Sequence, residues 1–176
     1  LGVAGSATLQ IRDAGCNGIR KPLIVAEGFD PAILAPENIH GVNDIDGFIN
    51  SVENSNSINL LDEVDTYDII YVNWDDSFAH IHRNAYVLEE VIRWVNENKP
   101  GDEPNVVLGQ SMGGLVARYA LRNMENHDED HDTRLYISHD APHQGANVPV
   151  GLQYMDRHLY NQFIQSPLLP NIVIAI

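Results

Sequence analysis

The sequence predicts an α/β protein with a mostly parallel sheet flanked by helices, and three observations carry that prediction. Four short apolar runs, Leu23 to Ala26, Ile69 to Val72, Val106 to Leu108 and Leu135 to Ile137, are continuous rather than alternating, as strands buried on both faces of a parallel sheet require. Between the second and third runs, Ile81, Ala85, Leu88, Ile92 and Val95 step at three and four residues, the signature of one apolar helix face. The third run then passes through Gly109-Gln110-Ser111-Met112-Gly113 into a helix-forming stretch from Leu115 to Met124. Strand, helix, strand, helix and strand therefore alternate along the chain.

The remaining elements follow in order. Thr8 to Arg12 alternates weakly and reads as an edge strand. Between Pro31 and Glu63 the pattern offers one helix-like segment, Asp46 to Val52, a polar loop from Glu53 to Ser57, and the segment Ile58 to Val64. Asn98-Lys99-Pro100-Gly101 ends the long helix. After Pro149, Leu152, Met155, Leu159 and Phe163 fall on one helical face, which is either core-facing or a lid over an apolar site. The expectation is a single domain over residues 1–176, with its core at about 20–150 and a lid or cap at 151–176.

Composition narrows the function. A chain of 176 residues with 44% apolar content can bury one substantial core. Ten basic against twenty-five acidic residues give a charge of −15, which repels nucleic acid and anionic membrane surfaces. No nucleic-acid partner is expected. A lone Cys16 excludes an intrachain disulfide, and no stretch reads as a transmembrane helix. The start at Leu1 carries no signal-peptide pattern, and the last residues stop within an apolar run. Both ends read as cut, so a truncation before later strands is expected.

G-x-S-x-G arises by chance in roughly 5% of chains this long, so its context carries the weight. Here it joins a strand to a helix, and the glycines flank a turn too tight for side chains. That geometry exposes the Ser111 hydroxyl as a nucleophile in a strained backbone conformation. Attack on an acyl carbonyl also needs a base and donors for the oxyanion. Met112, the first amide after the nucleophile, is one donor candidate. Phe29, in the turn Gly28-Phe29-Asp30-Pro31 after the first apolar run, is the other. No lysine follows the glycines, so a phosphate-binding P-loop is a poor fit.

Ser111 in Gly-Gln-Ser-Met-Gly-Gly, together with Gly28-Phe29, resembles the α/β-hydrolase superfamily. Asp140-Ala141-Pro142-His143-Gln144-Gly145-Ala146 is similar to the T-P-H-x-G-S/T segment of bacterial lipases and GPI inositol-deacylase-like serine esterases. The resemblance spans about residues 20–150. It implies the α/β-hydrolase fold and a serine hydrolase that cleaves a carboxylic ester through an acyl-enzyme on Ser111. The substrate it implies is an ester or lipid-like small molecule with an apolar acyl portion, and no cofactor is needed. It also leans towards an exported or envelope-associated bacterial protein. His143 carries over only as a wall of the site. Family triads place an acid and then a histidine after later strands, so the base is expected beyond this chain. Asp140 is the acid candidate within it, and His158 would complete the order as base. An acyltransferase using the same nucleophile, or a non-catalytic binding relative, remains open.

Other polar clusters have structural readings beside the functional ones. His127-Asp128-Glu129-Asp130-His131-Asp132 is rich in ligand atoms but reads as a solvated loop at the wrong end of the sheet, and no metal site is expected. Asp44-Ile45-Asp46-Gly47 reads as a turn. Asp75-Asp76 either contacts substrate or caps a helix beginning near Phe78. Trp74 and Trp94 are expected as core anchors.

Overall fold

Each apolar run lies within a strand. The computed structural model describes residues 4–15, 18–30, 44–53, 66–147, 149–151, 153–154 and 157–158. Among them, β1 (Ala7–Arg12), β2 (Pro22–Ala26), β3 (Asp68–Trp74), β4 (Asn105–Gln110) and β5 (Thr133–His139) form one sheet ordered β1-β3-β2-β4-β5. β1 runs antiparallel to β3 at one edge, and the three other pairings are parallel. The helices α1 (Ile45–Glu53), α2 (Ile81–Asn98) and α3 (Met112–Asn126) complete an α/β arrangement. The chain forms two compact units, 1–143 and 144–176, and the first contains this whole sheet.

Side-chain alternation sorts the core into two layers. Ile24, Ala26, Ile70, Val72 and Val107 meet α2 and α3, where Leu88, Ile92, Val116 and Ala120 pack fully buried. On the other face Leu23, Val25, Ile69, Tyr71 and Val106 meet Phe48 and Ile49 of α1. Removing these side chains from water contributes about 1.5–3 kcal/mol each for the larger ones. Both faces of β2 and β3 are thus covered, which explains their unbroken apolar runs.

The strand order also fixes where a ligand would meet this sheet. From β2 the chain moves to β3 on one side; from β4 it moves to β5 on the other. The carboxyl ends of β2 and β4 therefore flank the topological switch point, where open α/β sheets leave a crevice.

Several expectations need correction. β5 is not buried on both faces: Leu135 and Ile137 are 48% and 37% exposed. They point away from the α3 side, which Tyr136 faces, and no described element covers them. Trp94 is 38% exposed, because Val91, Ile92 and Val95 take the inward face of α2, whereas Trp74 is buried. The helix expected near Phe78 begins at Ile81. Asp44-Ile45-Asp46-Gly47 is not an isolated turn but the start of α1, with the Asp44 carboxylate accepting the Gly47 N–H at 2.7 Å.

In the second unit, Val150, Gly151, Gln153, Tyr154, Arg157 and His158 are helical, and the Gln153 N–H donates to the Pro149 carbonyl. The four apolar positions read as a lid or core face, Leu152, Met155, Leu159 and Phe163, lie outside the described residues. So do Cys16, Pro31 and the segment 54–65.

Candidate active site

Ser111 joins β4 to α3 with φ 50° and ψ −120°. A non-glycine residue held there stores about 1–3 kcal/mol of backbone strain. Close packing accounts for it. A Cβ on Gly109 would lie 2.5 Å from the Gly113 carbonyl oxygen and from Gly114 Cα, and one on Gly113 would collide with the carbonyl oxygens of Ala26 and Glu27. The turn is pinned by the Ser111 N–H donating to the His139 carbonyl at 2.8 Å and the Gly114 N–H donating to the Ser111 carbonyl at 3.0 Å.

A serine preceding a helix ordinarily uses its oxygen to accept a first-turn amide. Ser111 occupies that position in α3, yet its side chain makes no capping bond and is exposed. Its hydroxyl bonds to no other described residue and sits at the positive end of a 15-residue helix, where developing negative charge is stabilised.

The loop after β2 lies against this turn. A Cβ on Gly28 would be 3.3 Å from the Gln110 carbonyl oxygen and 3.4 Å from Ser111 Cβ, so Gly28 and Met112 both flank the serine. Phe29 follows, its ring exposed and packed edge-on against Phe78 at 4.8 Å. The Ser77 hydroxyl donates to the Asp30 carbonyl at 2.7 Å. These contacts hold the Phe29 turn against the loop between β3 and α2, while Met112 begins α3.

Glu27 was not anticipated as part of the site. It is only 1% exposed at the carboxyl end of β2. Its Oε2 accepts the Trp74 N–H at 2.9 Å and its own carbonyl accepts the Trp74 indole N–H at 3.0 Å. Oε1 has no partner among the described residues. Burial pushes this carboxyl up to about 7, opposed by the Trp74 amide and assisted by the nearby Asp30 charge. The signal available in the sequence was a carboxylate directly following an apolar strand.

Asp140 follows β5 with φ 51° and is exposed. Among the described residues no hydrogen bond joins it to a histidine, nor any histidine to the Ser111 hydroxyl. His143 instead meets Ser138, Nε2 to Oγ at 2.7 Å. Ser138 is the strand partner of Gly109, so His143 is tied to the strand beside the turn. Asp76 accepts the Phe78 N–H at 3.0 Å and lies 3.7 Å from Arg83, shaping the approach to α2 rather than capping it. In the acidic loop, Glu129 pairs with Arg93 and Asp132 with Lys99, latching the loop to α2 and the residue after it. Among the described residues, no group of three or more ligating side chains could hold a metal ion. No described helix is long and apolar enough to cross a membrane.

Fold and site together define an open α/β sheet with an uncapped, strained serine at its switch point. Comparisons with protein-family models, curated proteins and solved structures find no match to this chain.

Proposed function

We propose that this protein is a serine hydrolase of the α/β-hydrolase type, cleaving a carboxylic ester through an acyl-enzyme. The observation that carries the reading is Ser111 itself: exposed, without a capping bond, and held at φ 50° between glycines that admit no Cβ. Its Oγ attacks the carbonyl carbon while its proton passes to a base. The carbonyl oxygen gains negative charge and is held by the Phe29 and Met112 amides. Collapse expels the alcohol, and water then releases the acid by the same route. Ordered donors that need no rearrangement are the largest contribution such a site can make. The chemistry calls for no cofactor. Asp140 is the acid candidate.

A second reading is a non-catalytic relative that binds a ligand in the same crevice. It is favoured by the lack of any histidine bonded to Ser111 among the described residues. Pre-steady-state hydrolysis of p-nitrophenyl butyrate separates the two. The hydrolase releases a burst of one nitrophenolate per protein, which Ser111→Ala abolishes; a binding protein releases none.

A further inference from the structure

Charge of the opposite sign to the chain's own gathers on one side of α3. The sequence carries 25 acidic against 10 basic residues. Yet a cavity of about 410 Å³ beside α3 is lined by Arg118, Arg122 and Asn123 on its polar side and by Ile81, Leu115 and Tyr119 on its apolar side. No aspartate or glutamate is among the described residues lining it.

Among the described residues, neither arginine side chain is paired with a residue outside α3. The Arg118 side chain makes no hydrogen bond or ion pair with another described residue. Arg122 pairs with Glu125 at 2.9 Å, but that pair is exposed within one helix. Such surface pairs contribute under about 1 kcal/mol, so an arriving anion displaces the contact at little cost. Four residues apart on one helix, the two guanidinium groups share a face and can converge on a single anion. Their planar forks suit the paired oxygens of a carboxylate or phosphate. Leu115, Ile81 and Tyr119 supply apolar area for a hydrocarbon stem next to that head.

The cavity is also placed relative to the nucleophile. Counting along α3, Leu115 lies about 6 Å and Arg118 about 10 Å beyond Ser111. His143, a further lining residue, is held by Ser138 beside the strand that carries the serine. The near wall thus sits a single helical turn from Ser111, and the two arginines follow along the next turns of the same helix.

We infer that this cavity binds the anionic head of an amphiphile, a carboxylate or phosphate monoester on a hydrocarbon stem. Resting on the reading of Ser111 as nucleophile, it selects esters that carry such a head roughly 10–16 Å from the scissile carbonyl, the span along α3 from Ser111 to the two arginines. The substrate class narrows from esters in general to anionic amphiphilic esters. A chain of net charge −15 repels such molecules over most of its surface, so recognition depends on this local reversal of sign.

Binding is tested apart from turnover by using the protein with Ser111→Ala and titrating hexyl phosphate, hexanoate and hexanol by calorimetry. Expected is at least tenfold tighter binding of one or both anions than of hexanol. The tighter anion identifies a phosphate or a carboxylate as the head. Arg118→Gln and Arg122→Gln should each weaken anion binding about tenfold, while Arg118→Lys retains most of it. Equal affinity for hexanol and both anions would overturn the inference, as would anion binding unchanged in both Gln variants. If Ser111 fails as a nucleophile while the anions still bind, only the substrate assignment is lost.

Discussion

Glu27 and Trp74 are joined twice, the Trp74 backbone N–H donating to the Glu27 carboxyl at 2.9 Å and the Trp74 indole N–H to the Glu27 carbonyl at 3.0 Å. The pair locks the end of β2 to the end of β3, next to the turn that carries Gly28 and Phe29. A buried carboxyl thereby fixes one wall of the candidate site.

The pH dependence of stability should report this carboxyl. Its ordinary value of 4.5 is raised to about 7 in the fold, chiefly by burial. The folded state therefore holds the proton more tightly than the unfolded chain. The resulting stability is fully present below about 4.5 and is lost as pH rises through 7. Chemical denaturation should show Glu27→Gln removing a decline of about 3 kcal/mol across that window, at roughly 1.4 kcal/mol per unit. An unchanged pH profile in the variant would show that Glu27 is not the group responsible.

Gly113→Ala should destabilise the fold by about 1–3 kcal/mol, because its methyl group would collide with the carbonyl oxygens of Ala26 and Glu27. Thermal melts check the cost. Since the collision pushes α3 from β2, the nitrophenolate burst expected of the unmodified protein should fall as well.

Asp68 gathers three backbone amides at the amino end of β3, away from the site. Its buried carboxylate accepts the N–H groups of Ala14, Arg20 and Lys21 at 2.9, 2.6 and 2.8 Å. Asp68→Ala should cost about 2–4 kcal/mol by leaving three donors without an acceptor. Asp68→Asn should not rescue it, because the side-chain NH₂ would face at least one of those donors. Denaturant titration of both variants decides this.

Leu88→Ala should cost about 2–5 kcal/mol, since Leu88 is fully buried between α2 and the sheet. Trp94→Ala, further along the same helix, should cost clearly less despite the larger side chain, because Trp94 is partly in water. Paired melts would rank the two.

Strands β2, β3 and β4 were legible because burial on both faces demands uninterrupted apolar residues, and α2 because its face repeats at helical spacing. The exposure of β5 was not, since Leu135-Tyr136-Ile137 reads as buried whether or not both faces are covered. The serine turn was legible from its glycines, which only a close approach requires. Glu27 and Asp68 were not: their partners are backbone amides and an indole from distant stretches of the chain, and no spacing rule encodes such contacts. Nor was the bond from His143 to Ser138, which depends on the loop after β5 folding back.

Fluorophosphonate labelling read by intact mass decides whether Ser111 is an activated nucleophile. One equivalent of label is expected, located on the peptide containing Ser111 and absent from the Ser111→Ala protein. A folded protein that takes no label, or takes it equally in the variant, would contradict it.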